Sequence, residues 1–248
     1  MADISYDDII DYIQNNIDDF HNKRIENLKN AKLIKFLERK NPYLFKAKNI
    51  NTGEDLVKAL LDAHLSSQEE GIFGNFLEGL AIFINSKVYG GRKSGIRGID
   101  LEFDKNSQLY IVSIKSGPNW GNSGQIKDMV ADFNAARRTL KTSGSDLDPV
   151  AVNGCCYGRT VERTMYKANG SYYKLCGQKF WELISGDPEL YIEIIEPLGH
   201  NAKKKNLQFY EEYDKVVNIF TRDILNEYCD SNGNILWEKI VKLNSKSK

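Results

Sequence analysis

An acidic pair and a lysine stand close together in the segment from residue 95 to residue 125. Asp100 and Glu102 are separated by one residue in a stretch that alternates apolar and acidic side chains, a pattern typical of a half-buried β-strand. Ser113 and Lys115 have the same spacing at the end of a second, mainly apolar stretch. Residues two apart in a strand project from the same face. The spacing therefore predicts two adjacent strands that gather carboxylates and an amine in one place.

These residue types suit metal-assisted hydrolysis. Carboxylates on a rigid strand are hard oxygen ligands for Mg²⁺, which binds one or two acids and keeps several waters. A metal ion so held lowers the pKa of a bound water and stabilises the charge that develops on a phosphodiester. A neighbouring lysine can orient or deprotonate that water. The alternative interpretation is an ordinary hairpin with a solvated acidic face.

Regular elements on both sides must position these residues. The two strands are predicted at 99–103 and 109–115, joined by a polar turn at 104–107. Helical spacing of apolar residues predicts helices, at 1–40, 52–65, 74–85, 124–141, 177–184, 202–228 and 235–243. Apolar stretches predict three further strands, at 149–157, 172–175 and 190–195. This alternation of strands and helices indicates an α/β core with helices added at both ends.

Two short motifs carry a resemblance to a known family. Asp100 in GID, followed after a turn by Ser113-Ile114-Lys115, resembles the two halves of the PD-(D/E)XK nuclease core. The continuation SGPNWGNSGQ is similar to type II restriction endonucleases, in particular a subgroup that cuts interrupted GG…CC palindromes. Weaker similarity extends outwards through NPYLFKAKNI and GQKFWELISGD to the closing DSNGNILWEKI. The resemblance thus covers most of the chain.

The resemblance implies an organisation and a set of roles. It implies a mixed central sheet flanked by helices, with an N-terminal helical region at 1–50, a catalytic core at 51–200 and a C-terminal helical region at 201–248. Mg²⁺ is the implied cofactor, held by Asp100 and by the backbone carbonyl of Ile114. Lys115 is the residue implied to position or activate the attacking water.

One departure from the family pattern leaves a metal ligand unassigned. The acid usual two residues before the lysine is Ser113 here, and three acids are candidates to replace it. Glu78 is the lone charge in the apolar stretch of the helix at 74–85. One interpretation is that Glu78 lies on the solvent-exposed face of that helix. The resemblance implies instead that a helix in this position contributes a glutamate to the metal site. The other candidates are Glu102 and Asp128, of which Asp128 lies thirteen residues beyond Lys115. The sequence does not choose among the three acids.

Two polar segments are candidates for DNA contact. The glycine-rich segment 89–97 carries three cations that could contact phosphates or simply lie in a solvated loop: Arg92, Lys93 and Arg97. The segment after Lys115 carries amide and hydroxyl groups around one aromatic ring, and these can bond to base edges and phosphates: Asn119, Trp120, Asn122, Ser123 and Gln125. Its structural alternative is a long turn in which Ser123 caps the next helix.

Composition sets limits on these interpretations. The 248 residues include 34 basic and 34 acidic side chains, a balance that counts mildly against a nucleic-acid binder unless the contact face is locally positive. There is no apolar run long enough to span a bilayer. The four cysteines show no metal-ligand spacing and are expected to be reduced thiols in a cytoplasmic protein: Cys155, Cys156, Cys176 and Cys229.

The expected function is that of a type II restriction endonuclease, with Mg²⁺-dependent, sequence-specific hydrolysis of phosphodiester bonds in double-stranded DNA. Symmetric cutting of a palindrome requires a two-fold homodimer. The resemblance also implies a cognate DNA methyltransferase as a functional companion. Two alternatives remain: a DNA repair or junction nuclease, and a catalytically silent DNA-binding protein of the same fold.

Overall fold

A computed structural model describes residues 4–142, 148–160, 165–166 and 171–247. The chain divides into two compact units. The sheet unit comprises Met1–Ile17 and Phe73–His200, and the helical unit comprises Asp18–Ile72 and Asn201–Lys248. The predicted regions 1–50, 51–200 and 201–248 are consecutive, whereas each unit combines stretches that are separate in sequence. The predicted regions are consecutive because they were drawn from a pattern read along the sequence. Such a pattern does not indicate which helices pack together.

The regular elements alternate along the chain much as the sequence predicts. The helices are α1 (Tyr6–Lys29), α2 (Leu33–Arg39), α3 (Pro42–Ala47), α4 (Gly53–Val88), α5 (Ser123–Thr142), α6 (Gln178–Ser185), α7 (Leu190–Glu193), α8 (Ile195–Leu198), α9 (Ala202–Tyr228) and α10 (Trp237–Ser245). The strands are β1 (Arg92–Lys93), β2 (Leu101–Lys105), β3 (Gln108–Lys115), β4 (Val150–Cys155), β5 (Met165–Tyr166) and β6 (Tyr172–Cys176). No helix within the described ranges is both long and apolar enough to cross a membrane.

The strands of the described residues form one mixed sheet in the order β1-β2-β3-β4-β6-β5. β2 and β3 form an antiparallel hairpin, and β3, β4 and β6 run parallel to one another. Asn106 and Ser107 connect β2 to β3 with φ values of +54° and +59°. Positive φ at both central residues is what a two-residue type I′ hairpin turn requires. This turn fixes the register that places Leu101 opposite Val112.

Apolar side chains cover both faces of the sheet. On one face, α4 and α6 pack against the strands through a core that includes Leu80, Ile84, Phe180 and Trp181. On the other face, α5 packs through a smaller core, formed by Met129, Val130, Phe133 and Ala136 against Ile111, Ala151 and Tyr172. Helices on both faces are what buried parallel strands require. The predicted α/β class, with a mixed sheet flanked by helices, is therefore correct.

The helical unit has its own core. Residues of α2, α4, α9 and α10 supply most of its buried side chains, among them Phe36, Leu60, Leu61, Phe220, Ile224 and Ile240. The helix predicted at 202–228 is confirmed as α9, and the short helix predicted at 235–243 corresponds to α10 at Trp237–Ser245.

Several predicted elements differ from the structure. The helical run predicted at 1–40 is divided into α1 and α2. The strand predicted at 190–195 is wrong, since this segment forms the short helices α7 and α8. Its apolar stretch misleads because burial follows helical spacing: Leu190 and Ile194 are buried while Ile192 is 50% exposed. The helices predicted at 52–65 and 74–85 are one continuous helix, α4. The intervening Gly71 and Gly74 lower helix propensity without ending the helix.

Candidate active site

Asp100 lies just before β2 and is bound to β3 at two points. Its backbone N–H donates to the carbonyl of Val112 at 2.8 Å, and its side-chain Oδ2 accepts from the backbone N–H of Ile114 at 2.6 Å. Its carbonyl accepts a further bond from the N–H of Ser94 at 3.2 Å. The half-buried carboxylate is therefore held in one position by the hairpin itself rather than by flexible side chains.

The surroundings of Asp100 oppose its ionisation. Burial raises the pKa of this carboxyl above its ordinary 3.8, and the neighbouring carboxylate of Glu78 raises it further. The N–H of Ile114 and the ammonium groups of Lys115 and Lys93 act in the opposite direction on the pKa. Two acids and two lysines thus interact at one place, an arrangement that is common where a metal ion or substrate is bound.

Glu78 reaches this place from α4. Its Oε1 lies 3.2 Å from the ammonium of Lys93, and its side chain is 24% exposed. It also lies near Cys156, since burial and the charge of Glu78 raise the pKa of that thiol to about 12. On the same helix, Gly74 lies against Ser116, because a Cβ placed on Gly74 would be 3.4 Å from the Ser116 Cβ. The middle of α4 is therefore close to the end of β3.

Lys115 is the last residue of β3 and is half-buried. Its carbonyl accepts from the N–H of Cys156 at 2.9 Å, so the strand end is fixed against β4. Its ammonium lies 5.2 Å from the ring centroid of Trp120, within the range of a cation–π contact. The ring restricts where this flexible side chain can place its charge.

Trp120 is in turn anchored beneath the sheet by a buried asparagine. The indole Nε1 donates to Oδ1 of Asn153 at 3.1 Å. Nδ2 of Asn153 donates to the carbonyl of Ser113 at 3.3 Å. Asn153 and Ser113 are register partners on β4 and β3, and both are almost completely buried. Trp120 therefore has a structural role in addition to any contact with DNA, and Asn153 is a site residue that the sequence analysis missed.

The loop from Ser116 to Gly121 is packed closely. A Cβ on Gly117 would lie 2.2 Å from the ring of Tyr157, so only glycine leaves room for that ring. Nζ of Lys174 donates to the carbonyl of Pro118 at 2.7 Å. These contacts hold in place the chain that follows Lys115.

The start of α5 uses two of the residues predicted to contact DNA. Asn122 is the N-cap, since its Oδ1 accepts from the N–H groups of Gly124 at 3.0 Å and Gln125 at 3.1 Å. Oε1 of Gln125 accepts from the N–H of Asn122 at 2.9 Å and completes a reciprocal capping box. The alternative that Ser123 caps this helix is therefore wrong by one residue. Asn119 and Ser123 are exposed beside this cap.

The three predicted phosphate-binding cations each meet a carboxylate. Arg92 pairs with Glu102 at 3.1 Å, Lys93 with Glu78 at 3.2 Å, and Arg97 with Asp132 at 3.8 Å. The cationic side chains are 78%, 71% and 93% exposed, in the same order. All three positive charges are therefore available to an approaching polyanion.

The remaining candidate acids, Glu102 and Asp128, have surroundings different from those of Asp100 and Glu78. Glu102 is buried, and both of its oxygens are engaged, by Arg92 and by the hydroxyl of Ser94. Asp128 is exposed on the first turns of α5. One turn later, Asp132 is half-buried and contacts Gly98, where a Cβ would lie 2.4 Å from its Oδ2. The sequence-based prediction named Asp128, thirteen residues beyond Lys115, and not Asp132, which lies on the same side of the helix.

The candidate site offers oxygen donors for a hard divalent cation. Within the described ranges, no group of three or more His, Cys, Asp or Glu residues could hold a metal ion. Mg²⁺ needs only one or two carboxylates, since waters and substrate phosphate complete its coordination. Asp100 and Glu78, which interact electrostatically across the end of β3, supply such a pair.

Comparison with known proteins identifies the family of the chain. A search of curated proteins found no match. A scan against models of protein families matches residues 7–206 to type II restriction endonuclease EcoO109I. The matched residues include every side chain of the candidate site and most of the chain. The chain therefore belongs to the type II restriction endonuclease EcoO109I family and is a site-specific deoxyribonuclease.

Proposed function

We propose that the protein hydrolyses phosphodiester bonds in double-stranded DNA at a defined sequence, with Mg²⁺ as cofactor and a PD-(D/E)XK core as catalytic scaffold. The observation that carries this proposal is the meeting of Asp100, Glu78 and Lys115 at the end of β3. These residues come from a hairpin, a long helix and a strand terminus, so their proximity is a property of the fold. Family membership supplies the substrate class.

Asp100 and Glu78 would hold the metal ion, together with the carbonyl of Ile114. The carbonyl of Val112 and the N–H of Ile114 both bond to Asp100. Successive carbonyls of a strand alternate in direction, so the Ile114 carbonyl points to the same side as that of Val112. Bound there, Mg²⁺ would polarise the scissile phosphate and acidify a water molecule.

Glu78 is assigned the place of the acid that the family pattern puts at position 113. Ser113 is 2% exposed and brings no charge to offset a cation. Glu78 interacts with Asp100, while Glu102 is engaged elsewhere and Asp128 lies in solvent. Helix α4 thus supplies the second negative charge beside Asp100.

Lys115 would orient the attacking water. Its ammonium lies 5.2 Å from the centroid of the Trp120 ring, and its charge acts on Asp100. A donor fixed in this way can hold the water oxygen in line with the phosphorus. The Trp120–Asn153–Ser113 connection would preserve that position during the reaction.

DNA would be held by the exposed cations Arg92, Lys93 and Arg97 through its phosphates. Asn119 and Ser123, exposed at the start of α5, would face base edges or sugar-phosphate groups. Two copies related by two-fold symmetry would cut both strands of a palindrome, with a cognate methyltransferase protecting host DNA. The interrupted GG…CC palindrome is the proposed target class.

Digestion of a phage DNA of known sequence tests this function. With Mg²⁺, the wild-type protein should produce discrete fragments whose ends share one short palindrome, and Asp100→Asn should produce none. Arg222→Gln is the control, because Arg222 is exposed, pairs with its neighbour Asp223, and should leave the fragments unchanged. Cleavage at branched structures without a shared sequence would indicate a junction nuclease instead. Specific binding without cleavage would indicate a silent DNA-binding protein.

A further inference from the structure

Lys93 pairs with one of the two proposed metal-binding acids, Glu78, and its charge also acts on the other, Asp100. Its ammonium lies 3.2 Å from Oε1 of Glu78 and is also one of the positive charges that act on Asp100. A single positive charge therefore interacts with both carboxylates. This is the electrostatic role that a divalent cation would have at the same place.

The backbone of Lys93 is held beside Asp100. Lys93 pairs with Leu101 in the register of β1 and β2, and the following residue, Ser94, donates its N–H to the Asp100 carbonyl at 3.2 Å. The side chain extends from this fixed point towards Glu78 on α4. The contact with Glu78 thus depends on one flexible four-carbon stem, which can move without any change in the backbone.

Solvent reaches this contact through an open recess of about 420 Å³. Its lining includes Glu78, Lys93, Asn75 and Gly79. The lysine side chain is 71% exposed and the glutamate 24%. An ion pair with one exposed partner is weak. Moving the Lys93 ammonium from Glu78 to a competing anion therefore costs little free energy.

We propose that Lys93 pairs with Glu78 beside Asp100 in the DNA-free protein and leaves both acids for a DNA phosphate when duplex DNA binds. This inference rests on the proposed metal site at those two acids. When the acids bind a divalent cation, Lys93 loses its partner and can bind a phosphate. When Lys93 binds a phosphate, the acids lose their partner and can bind the cation. DNA and divalent cation therefore bind with positive coupling, which by linkage is the same in both directions.

Manganese binding to the DNA-free protein tests the first half of this exchange. Mn²⁺ is the probe, and free Mn²⁺ is measured from its electron paramagnetic resonance signal. Lys93→Gln should bind Mn²⁺ about two- to fivefold more tightly than wild type, since it removes a competing ion pair of modest strength. Arg97→Gln is the matched control: it removes the same charge from a side chain that is 93% exposed and pairs with Asp132 instead. It should bind Mn²⁺ like wild type.

Salt-dependent binding of a mixed-sequence DNA duplex, measured in EDTA, tests the second half. If Lys93 contacts a phosphate, Lys93→Gln should lower the slope of log affinity against log salt by about one. EDTA prevents cleavage during the measurement, and a contact with phosphate does not require a particular sequence. An unchanged slope for Lys93→Gln would overturn the exchange.

Asp100→Asn separates failure of this inference from failure of the metal site. If Asp100→Asn binds Mn²⁺ as wild type does, the proposed metal site is wrong and the exchange falls with it. If Asp100→Asn loses Mn²⁺ while Lys93→Gln gains nothing, the metal site stands and Lys93 is not its competitor. Tighter Mn²⁺ binding by Lys93→Gln alone, together with the lowered salt slope, supports the exchange.

Discussion

Replacing Glu78 by glutamine distinguishes the three candidates for the second acid. The change keeps the size of the side chain and its capacity to accept a bond from Lys93, but removes the charge. Loss of one of two charged ligands is expected to remove about 3–4 kcal/mol of the transition-state stabilisation that a metal ion supplies. This corresponds to a fall of about 10²–10³ in the cleavage rate.

The same variant should fold normally, because Glu78 has opposing effects on stability. Its pair with the exposed Lys93 contributes at most about 1 kcal/mol. Its repulsion of the half-buried Asp100 acts in the other direction. The free energy of unfolding in urea should therefore change by no more than about 0.5 kcal/mol. A large loss of rate without a loss of stability is expected for a residue that acts in catalysis.

Plasmid cleavage under single-turnover conditions provides the rate, with Glu102→Gln and Asp128→Asn measured alongside. Glu102→Gln should lower stability by about 1–2 kcal/mol, because it weakens bonds to a buried acid. Asp128→Asn should change neither quantity, since Asp128 lies in solvent. Full activity in Glu78→Gln combined with a large loss in either other variant would refute the assignment of Glu78.

Three further predictions concern neighbouring residues. Lys115→Ala should cut DNA about 10²–10⁴-fold more slowly while it binds duplex DNA like wild type, as gel-shift titration can show; near-normal cutting would exclude Lys115 as the residue that orients the water. Burial and Glu78 raise the pKa of Asp100 in the folded protein above its ordinary 3.8. The protonated side chain therefore contributes its full stabilisation of the folded state below pH 3.8, and this stabilisation is lost as the pH rises through the folded-state pKa. The stability advantage of Asp100→Asn should thus grow with pH in urea titrations, and a constant difference would contradict the raised pKa. Gly117→Ala should cost about 1–3 kcal/mol through its clash with the Tyr157 ring, and adding Tyr157→Ala should restore much of this loss; no recovery in the double variant would mean that the clash is not the cause.

Much of the hairpin and of the long helices could be predicted from the sequence because their signals are local. Alternation of apolar residues marks β2 and β3, and helical spacing marks α9 over its full length. The prediction of a strand at 190–195 was wrong because six residues can fit both the two-residue period of a strand and the 3.6-residue period of a helix. Only packing, which buries Leu190 and Ile194 together, decides in favour of the helix.

The candidate site was predictable in its residue types and less so in its partners. Asp100 and Lys115 were predicted from their motifs, and Glu78 from the resemblance to nucleases that carry a glutamate on a helix in this position. The depth to which α5 extends along the sheet cannot be read from spacing, so the sequence indicated Asp128 and missed Asp132, which is half-buried against Gly98. Nor does the sequence indicate that Asn122 and Gln125 bond to each other, since an amide that caps a helix and one that reads a base have the same composition.

The short strand β1 has a further consequence for the behaviour of the protein in solution. It forms one edge of the sheet, where unpaired backbone groups can add a strand from another molecule. Both of its residues, Arg92 and Lys93, are charged and strongly exposed, and such side chains discourage edge-to-edge aggregation. Apolar replacements here would therefore expose a self-associating edge at the same time as they removed contacts with phosphate. Neutral polar replacements, such as glutamine, keep these two effects apart.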